Sequence, residues 1–408
     1  MKILIMTNYF PPEIGGASHL YYELAESLVR RGHEVTVVTG FPRYNVKKKD
    51  KKYRGKFLIR EEFSGIEVIR IWIPEFPREN LILRGVEHFW VAFAFIIGSL
   101  FTRKPQVIIF YSPPLPIGLS AYFIGKLKGI PFIINVQDLF PKEAVLLGLL
   151  KNKMLIKFFE MMERFIYKRA AYITVHSPGN LEHIVRNGGN REKVGVVYNW
   201  VDVNKVKPGP RKNHFRKENS LNHEFVVSYA GTMGWCQDMG VIVDAANELR
   251  KYKDIVFLLV GEGPLKKFVE AKATNLGLEN VKLLPVQPFP KYLEILMASD
   301  VCLINLNENL TTPVVPSKLL NIMASGRPIV ASLPDYSDAR RIIEEANCGY
   351  CVPPRDPHKL AKAILTLYND NDLREEMGSN GRIYAERYFE REGCVSRYEE
   401  IFFELCKR

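Results

Sequence analysis

Short unbroken apolar runs and longer segments with an apolar residue every three to four positions follow one another along this chain. "MKILIM" (residues 1–6) is a run of the first kind, and "LYYELAESLVRRGHEVTVVTG" (20–40) reads as a helix, a turn at Arg31-Gly32 and a second apolar run. Between them stands "NYFPPEIGGASH" (8–19), with two prolines and two glycines. Strand, glycine loop, helix and strand make the start of a βαβ unit, in which the loop brings backbone N–H groups to a ligand at the helix N-terminus. Gly15 and Gly16 are therefore a candidate anion site.

The alternation continues through "KFLIREEF", "IEVIRIWI", "QVIIFYS", "PFIINVQDLFPKEA", "AAYITVHSPGN" and "KVGVVYNWVD". Several of these runs end abruptly in polar residues. Apolar strands alternating with helical segments predict a mostly parallel sheet covered on both faces, with ligands beyond the carboxyl strand ends. That rule singles out Gln137, Asp138 and Ser177. Residues 203–224 hold prolines, a glycine and charges without apolar periodicity, and read as a linker. Beyond them the pattern restarts with "FVVSYAGTMG", "IVFLLVGEGP", "VKLLPVQPF", "DVCLINLNEN" and "PIVASLPD". The expectation is an α/β fold of two doubly wound parallel-sheet domains, at 1–202 and 225–385. A helix over 386–408 is expected to return to the N-terminal domain.

Length agrees, because 408 residues exceed what one core ordinarily supports. The six cysteines all lie in the second half, which is no disulfide framework. Cys348 and Cys351 form a single CxxC with no second pair, so two semi-buried thiols are expected rather than a zinc site. The first residues lack the apolar core of a signal peptide, and a cytoplasmic location is expected.

Charge changes the picture more. The net charge is +12, and up to Asp202 there are 29 Lys and Arg against 18 Asp and Glu, so the first half carries nearly all the excess. Its densest stretch is "RYNVKKKDKKYRGKFLIR" (43–60), open to three readings: a solvated loop, a contact with anionic lipid headgroups, or a nucleic-acid site. "FWVAFAFIIGSLF" (89–101) reads as a helix about 20 Å long, too short to span a hydrocarbon core. It is either a core helix or one whose Trp90-bearing face dips into a bilayer surface. The two features together point to a membrane-facing N-terminal half.

The most informative stretch is "TTPVVPSKLLNIMASGRPIVAS" (311–332). Ser317 after Pro316 is a good N-cap, and the helix closes at Gly326. A lysine in the first turn opposes the helix dipole unless an anion is bound there. Ser317, the N–H groups of Lys318 and Leu319, and the lysine ammonium form a candidate diphosphate site. Gly231 and Gly234 in "YAGTMG", and Gly261 and Gly263 in "VGEGP", follow strands and could let a nucleotide lie on the backbone. Asp370-Asn371-Asp372 has DxD spacing but sits between two helical patterns as a turn. His33 reads as a turn residue entering a strand.

Together "YFPPEIGGASHLYYELAESLVRRGHEVTVVTG", "YSPPLPIGLSAY", "VQDLFPKEAVLLG", "YNWVD", "YAGTMG", "GEGP" and "VPSKLLNIMASGRPIVAS" resemble the GT-B glycosyltransferases of family 4. Within them the chain is most similar to the L-fucosamine-transferase-like group of surface-polysaccharide enzymes. The resemblance implies two Rossmann-like domains facing a cleft, with a nucleotide-sugar, usually UDP-linked, held mainly by the C-terminal one. It implies retention of configuration, no metal and no cofactor, and a polyprenyl-diphosphate-linked acceptor at the inner face of the cell membrane. Asp138, Gln137 and Lys318 stand at the catalytic positions. Donor contacts fall to Gly15, Gly16, Ser317, Lys318, Leu319, Gly231, Gly234, Gly263, Gln287 and Asn321. The chain departs from the wider family where two glutamates are usual, at Pro313 and Asn321. Its "GTMGWCQDMG" loop also lacks the usual Arg and Lys, and Gln137 replaces a histidine. Two other readings are a hydrolysing sugar-nucleotide epimerase of the same fold and a nucleic-acid-binding protein. The aromatic residues Tyr44, Tyr53 and Phe57 are few for the latter, and no nucleic-acid partner is expected.

Overall fold

The computed structural model describes residues 1–407 except 14, 44–49, 77–80, 222 and 311, with the side chains of residues 81 and 82 also left aside. The chain divides into two compact units, Met1–Asn199 with Glu392–Arg408, and Trp200–Arg391.

The first unit is built on an eight-stranded sheet. Its strands are β1 (Lys2–Met6), β2 (Glu34–Gly40), β3 (Leu58–Phe63), β4 (Ile66–Ile71), β5 (Val107–Ser112), β6 (Phe132–Val136), β7 (Tyr172–Val175) and β8 (Val194–Val196). The order is β3-β4-β2-β1-β5-β6-β7-β8, and every pairing is parallel except β3 with β4. β5 and β6 are buried at every position, because helices cover both faces of the sheet. The β3–β4 hairpin turns through Ser64 and Gly65, both at positive φ, the backbone that a two-residue hairpin turn requires.

The second unit carries β9 (Phe225–Ala230), β10 (Ile255–Val260), β11 (Val281–Leu284), β12 (Val301–Asn305), β13 (Ile329–Ser332) and β14 (Gly349–Val352). Their order, β11-β10-β9-β12-β13-β14, is all parallel and reverses direction beside β9. This is the doubly wound arrangement, whose ligand crevice lies where the order reverses.

Residues 203–224, expected as a linker, are instead packed into the second unit. Phe215 and Leu221 are buried against the underside of β9 and β10. Arg216 donates to Asp300 at 2.5 Å and to the carbonyls of Ala298 and Glu224. Two apolar residues and one internally paired arginine suffice to anchor a segment too short to show a period.

The last helix begins at Arg391 rather than 386, after a helix that runs Asn371–Tyr388 and a buried Phe389. It belongs to the first unit. Arg31 bridges Glu392 and Glu399 at 3.0 and 2.9 Å, and His33, expected as a simple turn residue, meets Glu399 at 2.6 Å. Beneath them the Tyr398 hydroxyl accepts from the Asn135 amide at 2.8 Å inside the core.

The apolar helix is longer than the thirteen residues read from the sequence. It spans Leu81–Leu100, or about 30 Å at 1.5 Å per residue, and its Leu83–Leu100 stretch is long and apolar enough to cross a membrane by length and composition. Val91, Ala94, Phe95 and Gly98 nevertheless face the sheet, and a Cβ on Gly98 would collide with Ile71. This spacing of three and four is that of a sheet-covering helix. Phe93 and Leu100 remain exposed.

Of the basic run 43–60, residues 44–49 lie outside the described residues. Among the rest, Lys52 is spent on Glu61 at 2.8 Å and Arg43 on Glu87 at 2.7 Å.

Candidate functional site

In the first unit the chain leaves β1 and enters the helix Gly16–Arg30 through the glycine loop. Gly15 and Gly16 line a cavity of about 540 Å³ with Arg43, Arg84, Glu87 and His88 among its walls. Gly16 has no positive φ, and a Cβ there would meet no atom of the described residues within 4 Å. Neither backbone geometry nor packing asks for glycine at this position; what its absence of side chain supplies is room in the cavity. Arg84 is exposed and makes no ion pair among the described residues. Burial, together with the charges of Arg84 and Arg43, pulls the His88 pKa down to about 4. That imidazole is neutral at pH 7.

At the carboxyl end of β6 stand Gln137 and Asp138. Gln137 is paired at both ends of its amide: it donates to Asn135 and Asn199 at 2.9 Å and accepts from Asn199 at 2.8 Å. Its work is to tie β6 to the "YNWVD" segment. Asp138 keeps exposed surface, yet the protein crowded around its carboxyl pushes its pKa up. Five residues on, Glu143 rises further, to about 7, through burial and the neighbouring Asp138 charge. Ser177 caps the helix Pro178–Arg186 by accepting from the Asn180 N–H.

In the second unit the expected site lies around the helix Ser317–Ala324. Ser317 is its first residue rather than its cap; Pro316 takes the cap position and no side-chain cap bond forms. The Leu319 N–H is already committed to the Pro316 carbonyl at 2.9 Å, and the Leu319 side chain is buried. Those two expectations are therefore corrected: a proline with no side-chain acceptor leads the helix, and a tight first turn consumes one of the free N–H groups.

Lys318 turns inward. Its ammonium lies 3.6 Å from the centre of the Tyr229 ring, is shielded from solvent and finds no hydrogen-bond acceptor among the described residues. Desolvation lowers its pKa to about 7. Tyr229, in turn, donates its hydroxyl to the Thr232 carbonyl at 2.6 Å.

The glycines around this lysine are there for the protein's own backbone. A Cβ on Gly231, at φ 153°, would stand 2.9 Å from the Lys318 Nζ, and one on Gly263 would stand 2.4 Å from the Met233 carbonyl oxygen. Gly261 is closer still to Gly231. Close approach of two strand ends explains them without a nucleotide. The Gly234 N–H donates to Gln237, and Gln287 donates to the Pro285 carbonyl. Asn321 stands beside the hydroxyl of half-buried Tyr292.

The remaining motifs are structural. Asp370 caps the helix Asn371–Tyr388 by accepting from the Leu373 N–H at 2.9 Å. Burial pushes the Cys348 and Cys351 thiols up to about 12, so neither is a thiolate at pH 7.

Four features were missed from sequence: Arg84, His88, Glu143 and Tyr229. Tyr229 stands two residues before Gly231, a spacing that places both on one face of the strand end. Glu143 lies one helical turn past the residue after Asp138, which was a usable signal.

A model of the "Glycosyl transferase 4-like domain" matches residues 15–200, and one of "Glycosyl transferases group 1" matches residues 210–384. The chain is 25% identical to a putative colanic acid biosynthesis glycosyl transferase, WcaI, of Escherichia coli K12, over 98% of both chains. It is 27% identical to a probable glycosyltransferase, WbjE, of Pseudomonas aeruginosa, over 71% of this chain and 74% of that one. Among solved structures, HepE of Anabaena in complex with UDP superposes with a TM-score of 0.74 at 18% identity, over 99% of this chain and 100% of that one. Two parallel-sheet α/β units, each matched in order by a glycosyltransferase domain, place this chain among the GT-B glycosyltransferases of the group 1 and family 4-like type.

Proposed function

We propose that this glycosyltransferase moves a sugar, with retention of configuration and without a metal, from a UDP-linked N-acetylamino sugar to a polyprenyl-diphosphate-linked glycan. The setting is surface-polysaccharide or glycoprotein-glycan assembly at the inner face of the cell membrane. One relative is named for colanic acid biosynthesis and one structural neighbour holds UDP, which supports this donor and pathway class.

The observation that carries the reading is the Lys318 ammonium, buried beside Tyr229 and Gly231 with no acceptor among the described residues. An unpaired buried cation is costly, and an incoming diphosphate supplies the missing acceptor and raises the lysine pKa. During transfer, negative charge builds on the departing nucleoside diphosphate. A fixed ammonium, with the Ser317 and Lys318 N–H groups that find no acceptor among the described residues, stabilises that charge without reorganising. Asp138 orients the sugar or acceptor, and Gly15 and Gly16 give room to it in the first unit's cavity.

Thermal-shift screening of nucleotide-sugars identifies the donor, because a ligand bound only by the folded chain raises its melting temperature. Transfer of radiolabelled sugar from that donor to a membrane lipid extract then tests the reaction. Release of free sugar with no acceptor present would assign the chain instead to the hydrolysing epimerases. A Lys318→Ala protein that is folded yet turns over near the wild-type rate would remove Lys318 from the mechanism.

A further inference from the structure

The segment from 145 to 161 exposes more apolar side chain than its own fold explains. Helix Lys153–Arg169 already has a packed face, with Met162, Ile166 and Tyr167 buried in the first unit's core. A second apolar stripe, Met154, Phe158 and Met161, follows the i, i+4, i+7 spacing on another side of the same helix, and Met154 is 81% and Met161 61% exposed. The turn before the helix adds exposed Leu146, Leu147 and Leu149. Phe158 also meets Phe89 of the apolar helix, with ring centres 6.1 Å apart, so the patch runs on to exposed Phe93.

Charge identifies the occupant. Lys151, Lys153 and Lys157 are exposed at the border of the stripe, and none makes an ion pair among the described residues. Apolar side chains bordered by uncompensated lysines fit a bilayer surface with anionic headgroups, which takes the apolar groups into its acyl boundary and the ammonium groups at its phosphates. A second copy of the chain on the same face would bring like-charged rims together.

We propose that residues 145–161 form a docking surface that seats the first unit on anionic lipid, lying in the interface without spanning it. The inference rests on the membrane-linked acceptor proposed above. It moves the main contact from the basic run 43–60 to this helix and turn.

The test is co-sedimentation of the full chain with phosphatidylcholine vesicles, with and without phosphatidylglycerol, at low and high salt. Wild-type protein is expected to sediment with the anionic vesicles and to be released by salt. The triple variant Met154→Ser/Phe158→Ser/Met161→Ser is expected to lose at least about tenfold in partition, as is Lys151→Glu/Lys153→Glu/Lys157→Glu. Lys51→Glu/Lys52→Glu is expected to bind as wild type. Circular dichroism and the nucleotide-sugar thermal shift confirm that each variant is folded.

Binding by both triple variants at the wild-type level, or no binding of wild type to anionic vesicles, overturns the proposal. Wild-type self-association abolished by the Met154→Ser/Phe158→Ser/Met161→Ser change, without vesicle binding, gives the face to a second copy and also overturns it. Partition is read with no substrate present. A failure here leaves sugar transfer standing, and a failure to transfer to any lipid-linked acceptor leaves the vesicle result standing.

Discussion

The Lys318 ammonium sits 3.6 Å from the centre of the Tyr229 ring, with no oxygen among the described residues to accept its protons. Burial has moved its pKa from the ordinary lysine value of 10.5 to about 7. The folded chain therefore binds a proton less tightly at this site than the unfolded chain does. Between pH 7 and pH 10.5 the unfolded state holds the extra proton, so stability rises with pH across that window, and below pH 7 the full cost is present. Lys318→Met should be more stable than wild type at neutral pH, by up to a few kcal/mol at about 1.4 kcal/mol per pKa unit. The gap should close toward pH 10.5. Chemical denaturation of both proteins across this range checks it.

A second test concerns the carboxyl pair at the end of β6. Glu143 ionises near pH 7 in the folded protein against 4.5 for an ordinary glutamate, because it is buried and faces the Asp138 charge. The folded state then holds the extra proton between pH 4.5 and pH 7, and stability falls as pH rises through that window. Glu143→Gln should raise the melting temperature at pH 8 and have little effect at pH 4. Asp138→Asn should shift the Glu143 titration downward, readable by following the carboxyl resonance with NMR.

A third concerns the returning helix. Tyr398 is buried at its centre, and its hydroxyl accepts from Asn135, which also donates to Thr174 and accepts from Tyr21. Tyr398→Phe keeps the packing and removes the hydroxyl's hydrogen bonding, the bond from Asn135 included, at a cost of about 1 kcal/mol per bond. Tyr398→Ala also opens a cavity, and about 3–5 kcal/mol is expected. Urea unfolding of the two variants separates the terms, and a Tyr398→Phe protein as stable as wild type would show that the hydroxyl network contributes nothing.

The sequence by itself determined the architecture, because strands buried on both faces are apolar at nearly every position, and β5, β6, β9 and β10 were legible as apolar runs that admit no more than one of Ser112, Asn135 or Ser228 each. It also set where a ligand is to be expected, since polar residues at the carboxyl ends of such strands stand out against the runs before them. Only the tertiary structure decided what each glycine, amide and cation does there. Gly231 and Gly263 look like Gly16 in sequence, but the first two are pressed against other parts of the chain, whereas Gly16 opens onto a cavity. Gln137 reads as a candidate ligand until Asn199, 62 residues away, is seen to engage both ends of its amide. Lys318 reads from sequence as a phosphate ligand in the first turn of a helix, and only the fold puts Tyr229 and Gly231 around its ammonium. Local pattern reports periodicity and solvent preference, which act along the chain. Desolvation and hydrogen-bond pairing depend on which distant residues fold alongside, and no run of neighbours carries that information.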